Sequence, residues 1–290
     1  MTPLAGFTRS TIAVTGTDIA VAVAGAGPPL LLLHGFPQTM AMWHQVAPVL
    51  AEHFTVVCAD LRGYGASGRP DGGDDHAGYS KRAMAQDQVE VMSALGFDRF
   101  AVAGHDRGGR VVRRMCLDHP DRVSAAAVLD IVPTATVFAT TDQALATAYY
   151  HWFFLIQPDG LPERMIGADP RWWLRETLRR WAAPGFAFDP AALADYEQAF
   201  DDPATVHAQC EDYRAAATID LAHDAADASS RIGCPLLVLW GRHGAMERIY
   251  DVLGTWTDQG VDVRGRALDS GHFLAEEAPG QTARELLGLL

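Results

Sequence analysis

Basic residues are scarce in this chain: 23 Lys and Arg against 36 Asp and Glu leave a formal net charge of −13 over 290 residues. That balance argues against a nucleic-acid-binding face or an anionic-membrane footprint, both of which need clustered cations. An anion could be held only at a local cationic site. Cysteine is sparse too. No two of Cys58, Cys116, Cys210 and Cys234 lie within twenty residues of each other. No CxxC or zinc spacing exists, so free thiols in a reducing cytoplasm are expected. Apolar runs such as Leu30–Leu33 are far shorter than the roughly 20 residues that cross a bilayer. Residues Met1–Thr11 lack the basic and apolar regions of a secretory signal, so a cytoplasmic location is expected. No Gly-rich phosphate loop or metal-ligand cluster is visible, and the chain is expected to use neither cofactor nor metal.

What is present fits a globular enzyme: 49% hydrophobic and 20% charged residues. The length exceeds the usual single-domain mode of roughly 100–150 residues, so a large domain or a core with an insertion is expected. Thr11–Val14 and Asp18–Ala24 read as a β-hairpin across Thr15-Gly16-Thr17. Buried strands follow at Leu30–Leu33, Phe54–Ala59, Arg99–Gly104 and Val123–Ile131. Helical spacing appears between them, around Met42–Leu50 and over Arg82–Leu95 and Arg107–His119. Alternating strands and helices predict an α/β fold, a mostly parallel twisted sheet flanked by helices. The alternation breaks over 132–230, where prolines divide short helices and four of the seven tryptophans lie. Strands resume at Pro235–Trp240 and Val261–Leu268, and a last helix is predicted over Gln281–Leu290. The expectation is a core of residues 1–131 and 231–290 with an inserted helical cap over the ligand edge of the sheet.

Gly104-His105-Asp106-Arg107-Gly108 has the form G-x-nucleophile-x-G between a strand and a helix. Small flanking residues permit a tight turn that lifts the middle side chain above the sheet. That residue is Asp106; the alternative is an ordinary helix-capping aspartate. A carboxylate attacking a saturated carbon forms an ester that water can cleave, whereas attack on an ester or amide would form an anhydride. The pattern therefore points to alkyl halides or epoxides. The backbone N–H groups of Phe36, in His34-Gly35-Phe36-Pro37, and of Arg107 are candidates for an oxyanion hole. His272, in a loop after the final strand, is the candidate base. Arg107 and Arg110 stand at i and i+3 on one helix turn and can fork a carboxylate; their alternative is pairing with surface acids. Arg113 and Arg114 are expected at the surface, Asp60 in loop structure, and Glu276-Glu277 at a solvated helix start.

These motifs, with Tyr150-His151-Trp152, Cys210-Glu211-Asp212-Tyr213-Arg214 and Ser270-Gly271-His272-Phe273, resemble the Asp-nucleophile branch of the α/β-hydrolases over about residues 10–290. The specific resemblance is to the fluoroacetate and haloacetate dehalogenases. It implies hydrolysis of a small anionic halocarboxylate through an aspartyl ester. Asp106 would be the nucleophile, His272 the base, and Arg107 and Arg110 the carboxylate clamp. It also implies His151, Trp152 and Tyr213 as halide donors; by spacing alone these read equally as aromatic packing, the role expected of Trp172, Trp173 and Trp181. Many α/β-hydrolases place the acid partner of the histidine after the strand that here ends at Trp240. No carboxylate follows there until Glu247, so Asp130 is expected to take that role; a turn or cap role before Pro133 is the alternative. A homodimer is implied by resemblance alone. The competing readings are an epoxide hydrolase, a dehalogenase limited to chloro and bromo acids, and a binding protein without chemistry.

Overall fold

In a computed structural model, which describes residues 3–289, eight strands form one sheet among the described residues. They are β1 (Thr8–Val14), β2 (Thr17–Ala24), β3 (Pro29–Leu33), β4 (Thr55–Ala59), β5 (Phe100–His105), β6 (Val123–Leu129), β7 (Leu236–Gly241) and β8 (Val263–Leu268). The spatial order is β1-β2-β4-β3-β5-β6-β7-β8. The β1–β2 hairpin and the β2–β4 pair are antiparallel, and every other pair is parallel. The predicted α/β class and mostly parallel sheet are what the chain adopts. The hairpin is longer than its composition suggests, because ladder pairing recruits Thr8–Ser10 opposite Val21–Val23.

Burial follows position in the sheet. Leu30–Leu33 and Val56–Ala59 are almost wholly buried, as central parallel strands covered on both faces must be. β8 is an edge, and its Arg264 and Arg266 are exposed, which blunts pairing with another chain. The expected helix near Met42–Leu50 is split into two short turns, Met40–Trp43 and Ala47–Leu50. The helices Lys81–Ala94 and Arg107–Asp118 fall within one residue of their predicted bounds. The final helix runs Pro279–Leu287; the predicted end at Leu290 lies outside the described residues.

Chain connections leave β3 toward β4 on one side, while β5 pairs with β3 on the other. This reversal opens a crevice at the C-terminal ends of β3 and β5, the usual ligand position in an open α/β sheet. Leu33 stands opposite Gly104 in the register, so the loop from His34 and the turn at Asp106 emerge side by side. Between β6 and β7 the chain is helical, from Thr134–Ala139 through Ile219–Ala226.

Candidate active site

Asp106 follows β5 with φ 45° and ψ −111°, a conformation that a residue with a Cβ adopts only under strain. The flanking glycines make the turn possible: a Cβ at Gly108 would overlap the His34 carbonyl. A capping aspartate would turn its carboxylate onto the first helix N–H groups. Asp106 makes no such bond, although it stands at the cap position. Its Oδ1 accepts instead from the Phe36 N–H at 2.9 Å. Arg107 opens the following helix, so its own N–H has no intrahelical acceptor.

His272 faces this carboxylate from the loop after β8. Its Nδ1 lies 2.6 Å from Asp130 Oδ2, and its buried Nε2 has no partner. With the proton on Nδ1, Nε2 is free to accept one. Asp130 follows β6 with φ 53°, and its Oδ1 accepts from the Gly241 N–H at 2.8 Å. A Cβ at Gly241 would overlap the Gly271 carbonyl, so this glycine lets the histidine loop approach the end of β7. Burial disfavours the His272 cation. The hydrogen bond and charge of Asp130, aided by Asp106, outweigh it and hold the imidazole pKa above its ordinary value. Burial also disfavours the Asp106 anion, but His272, His105, Arg107 and Arg110 hold its pKa below the usual carboxylate value. The geometry thus presents an ionised carboxylate beside an imidazole.

The two arginines have different surroundings. Arg107 is fully buried, and Asp212 occupies most of it: Nε donates to Oδ2 at 2.8 Å and Nη2 to Oδ1 at 2.7 Å. Only Nη1 is left without a partner. Arg110 meets no acid; its Nη1 donates to the Val132 carbonyl and Thr134 Oγ1, leaving Nε and Nη2 unpaired. The expectation of two open forks therefore becomes one unpaired edge on Arg110 and one unpaired corner on Arg107, both buried. Trp152 lies under both guanidinium carbons, at 5.6 Å for Arg107 and 4.5 Å for Arg110. Tyr213 lies 4.1 Å from Arg107 and 5.2 Å, ring to ring, from Phe36. His151 packs 5.7 Å from Tyr213 and is kept neutral, its pKa pushed down to about 3 by burial. His151 Nδ1, Trp152 Nε1 and Tyr213 Oη are all buried without partners.

A cavity of about 250 Å³ reaches Asp106, Asp130 and His272 from solvent, walled by Tyr149, His151 and Trp181. Arg107, Arg110, Trp152 and Tyr213 do not line that open space; they are buried and pack against one another.

Several expectations are corrected. Arg114 is buried rather than on the surface, because Asp118 and Asp227 neutralise it. Trp172 is not cap packing but is 62% exposed, and Trp181 is a cavity wall 5.3 Å from His272. Glu276 is not solvated, and Glu277 is half-buried. Glu276 is buried against Gln38 and Tyr196. Glu277 accepts from the N–H groups of Ala183, Gly271 and Phe273, tying the helical segment between β6 and β7 to the histidine loop. Asp60 is structural as expected, accepting from the Met40 and Ala66 N–H groups.

Sequence reasoning missed Asp212 and Lys81. Lys81 is the only lysine of the chain, and it is buried with its Nζ on Asp212 and Asp220. A lone lysine and an acid inside the apolar turns around Tyr213 are the signal that could have found them.

The sequence profile described as the alpha/beta hydrolase fold matches residues 28–279. A fluoroacetate dehalogenase from Burkholderia sp is 49% identical over 97% of this chain and 93% of its own length. A soluble epoxide hydrolase from Corynebacterium sp. (strain C12) is 32% identical over 92% of this chain and 91% of its own. The crystal structure of a provisionally assigned α/β hydrolase from Nostoc sp PCC 7120 superposes with a TM-score of 0.97 at 56% identity, covering 99% of this chain and 98% of that one. The chain belongs to the α/β hydrolase fold family.

Proposed function

We propose that this chain hydrolyses the carbon–halogen bond of short 2-halocarboxylates, haloacetates foremost, giving a 2-hydroxy acid and halide. One observation carries the reading. Six buried side-chain atoms around Asp106 that can donate have no partner: Arg107 Nη1, Arg110 Nε and Nη2, His151 Nδ1 in the tautomer protonated there, Trp152 Nε1 and Tyr213 Oη. An unsatisfied buried donor costs ~1–3 kcal/mol, so a cluster of them is a site awaiting an anion. Two guanidinium groups suit a carboxylate, and three neutral donors suit a departing halide. The similarity to a fluoroacetate dehalogenase supports the same chemistry.

In this reading residues 132–230 cap the site and supply the halide donors. Arg107 and Arg110 hold the substrate carboxylate so that the α-carbon sits over Asp106. A carboxylate oxygen of Asp106 attacks that carbon. The carbon–halogen bond breaks, and its electron pair leaves with the halide toward His151, Trp152 and Tyr213. His272 Nε2 then takes a proton from water, whose oxygen adds to the carbonyl carbon of the ester. The Phe36 and Arg107 N–H groups hold the oxyanion. The intermediate collapses, the hydroxy acid leaves with the proton from His272, and Asp106 is regenerated with one oxygen from water.

The test is halide and glycolate release from fluoroacetate and from chloroacetate, with wild type and Asp106→Asn. Release from both substrates, lost in the variant, is the expected result. Release from chloroacetate alone would keep the mechanism and reject a pocket tuned for fluoride. Release from neither would overturn the reading. The phenols of Tyr149 and Tyr213 and the Corynebacterium relative favour a second reading, epoxide hydrolysis. There the guanidinium donors would lack a partner, so turnover of a small epoxide unaffected by acetate would favour it.

A further inference from the structure

We propose that Arg180 and Arg248 form an anion-gathering mouth above the cavity that leads to Asp106, speeding substrate capture without taking part in bond breaking. The inference rests on the halocarboxylate reading. Arg180 lies in the last turn of the helix Pro170–Trp181, and Arg248 in the helix Ala245–Ile249 after β7. They line the same cavity, one from the helical segment between β6 and β7 and one from the helix after β7. Both face solvent; the Arg180 side chain is 57% exposed.

The charge along the path has one sign until the floor. The acids that line the cavity are Asp106 and Asp130, at its inner end, and Asp130 is engaged with His272. Glu176 accepts from both Arg179 and Arg180, so two cations share one carboxylate and leave a positive remainder. No ion pair holds Arg248 among the described residues. This matters because the chain as a whole carries −13 and repels a small anion at long range. Cations at the opening of a low-dielectric cleft focus the field there and raise the local anion concentration. Screening over roughly 8–10 Å confines that effect to the mouth and makes it sensitive to salt. Beyond the mouth, Arg107 and Arg110 take over. The outer pair lies outside the packed cluster around Asp106, so its influence falls on kcat/KM and not on kcat.

The experiment compares wild type with Arg180→Gln, Arg248→Gln and the double variant; both side chains are exposed, so folding is retained. The double variant should lower kcat/KM for fluoroacetate by about three- to tenfold at low salt. It should leave kcat unchanged and flatten the fall of kcat/KM with added NaCl. Unchanged kcat/KM with the wild-type salt slope would overturn the proposal, as would a loss confined to kcat. A second measurement needs no turnover: association of fluoroacetate with Asp106→Asn protein, followed by stopped-flow tryptophan fluorescence, with and without the two substitutions. Slower, less salt-dependent association in the substituted protein supports the mouth even if wild type releases no halide. Equal association rates, or no binding, overturn it.

Discussion

Asp212 and Arg107 form a two-point ion pair in which neither side chain has any solvent exposure. Asp212 also accepts from Tyr64 Oη at 2.7 Å and from Lys81. Burial opposes its charge, but Arg107 and Lys81 drive its pKa far below the usual carboxylate value. The pair fixes which face of the Arg107 guanidinium is presented, leaving Nη1 as the open corner. Asp212→Asn leaves Arg107 with no acid and Lys81 with Asp220 alone. Breaking a buried pair from one side costs ~3–5 kcal/mol, so urea denaturation should show a loss of that order. The double variant Asp212→Asn/Lys81→Met removes one charge of each sign but leaves Arg107 without its acid and Asp220 without its cation, so it should recover only part of the stability. It does not restore the orientation of Arg107, so KM for a haloacetate should stay raised. A double variant with wild-type KM would show that Asp212 serves stability alone.

The two steps at Asp106 should be separable. Asp106→Asn is expected to abolish turnover yet bind substrate, because its amide cannot displace halide while the arginines remain. His272→Ala is expected to release one halide per protein and stall, since ester cleavage loses a base worth ~10²–10⁴-fold. Intact-protein mass spectrometry would detect the carboxymethyl adduct on Asp106. In wild type, a single turnover in heavy-oxygen water should label Asp106 rather than glycolate. Labelled glycolate in that first turnover would mean direct attack by water.

Much of this arrangement is legible in the residues because it is local. The Gly104–Gly108 pattern after an apolar strand contains its own geometry, down to the two glycines that permit the turn. His272 and Asp130 could be placed because each follows a recognisable strand. Glu276 and Glu277 could not. Two adjacent acids near a helix start look solvated, but distant segments engage both, Gln38 and Tyr196 burying Glu276 and the Ala183 N–H binding Glu277. The occupied state of Arg107 is hidden for the same reason: 105 residues separate it from Asp212. Backbone pattern announces elements and turns, whereas the pairing of buried charges depends on which helix crosses which strand end.

The pH dependence follows from the His272 environment. In the proposed mechanism neutral imidazole is the active form in ester cleavage. Its pKa lies above the ordinary value, so activity should be absent at low pH and rise as pH passes through that raised pKa. Part of the elevation comes from the Asp106 anion, and esterification removes that charge. The acid limb of kcat, when ester cleavage limits, should therefore lie below the NMR titration of His272 in the resting enzyme. Asp130→Asn removes the larger favourable contribution and leaves burial, so it should move the resting titration to lower pH. A resting His272 titrating below the acid limb of kcat would contradict this electrostatic account.

Glu276 makes a separate prediction about stability. Burial pushes its carboxyl up to about 8, against the hydrogen bonds of Tyr196 and Gln38. In the unfolded chain it titrates near 4.3, the ordinary glutamate value. Between these two values the folded state binds a proton that the unfolded state does not. The unfolding free energy therefore falls as pH rises across that window, at most ~1.4 kcal/mol per pH unit for one group. Below it both states are protonated, and above it both are ionised, so the slope vanishes at either end. Glu276→Gln keeps a neutral side chain at the same place and removes this contribution. The variant should lose less stability than wild type between pH 5 and 8 in parallel denaturation curves, with little difference at pH 4. Equal slopes in the two proteins would mean that Glu276 is already ionised in the folded chain, held by Gln38 and Tyr196 as an anion beside the histidine loop.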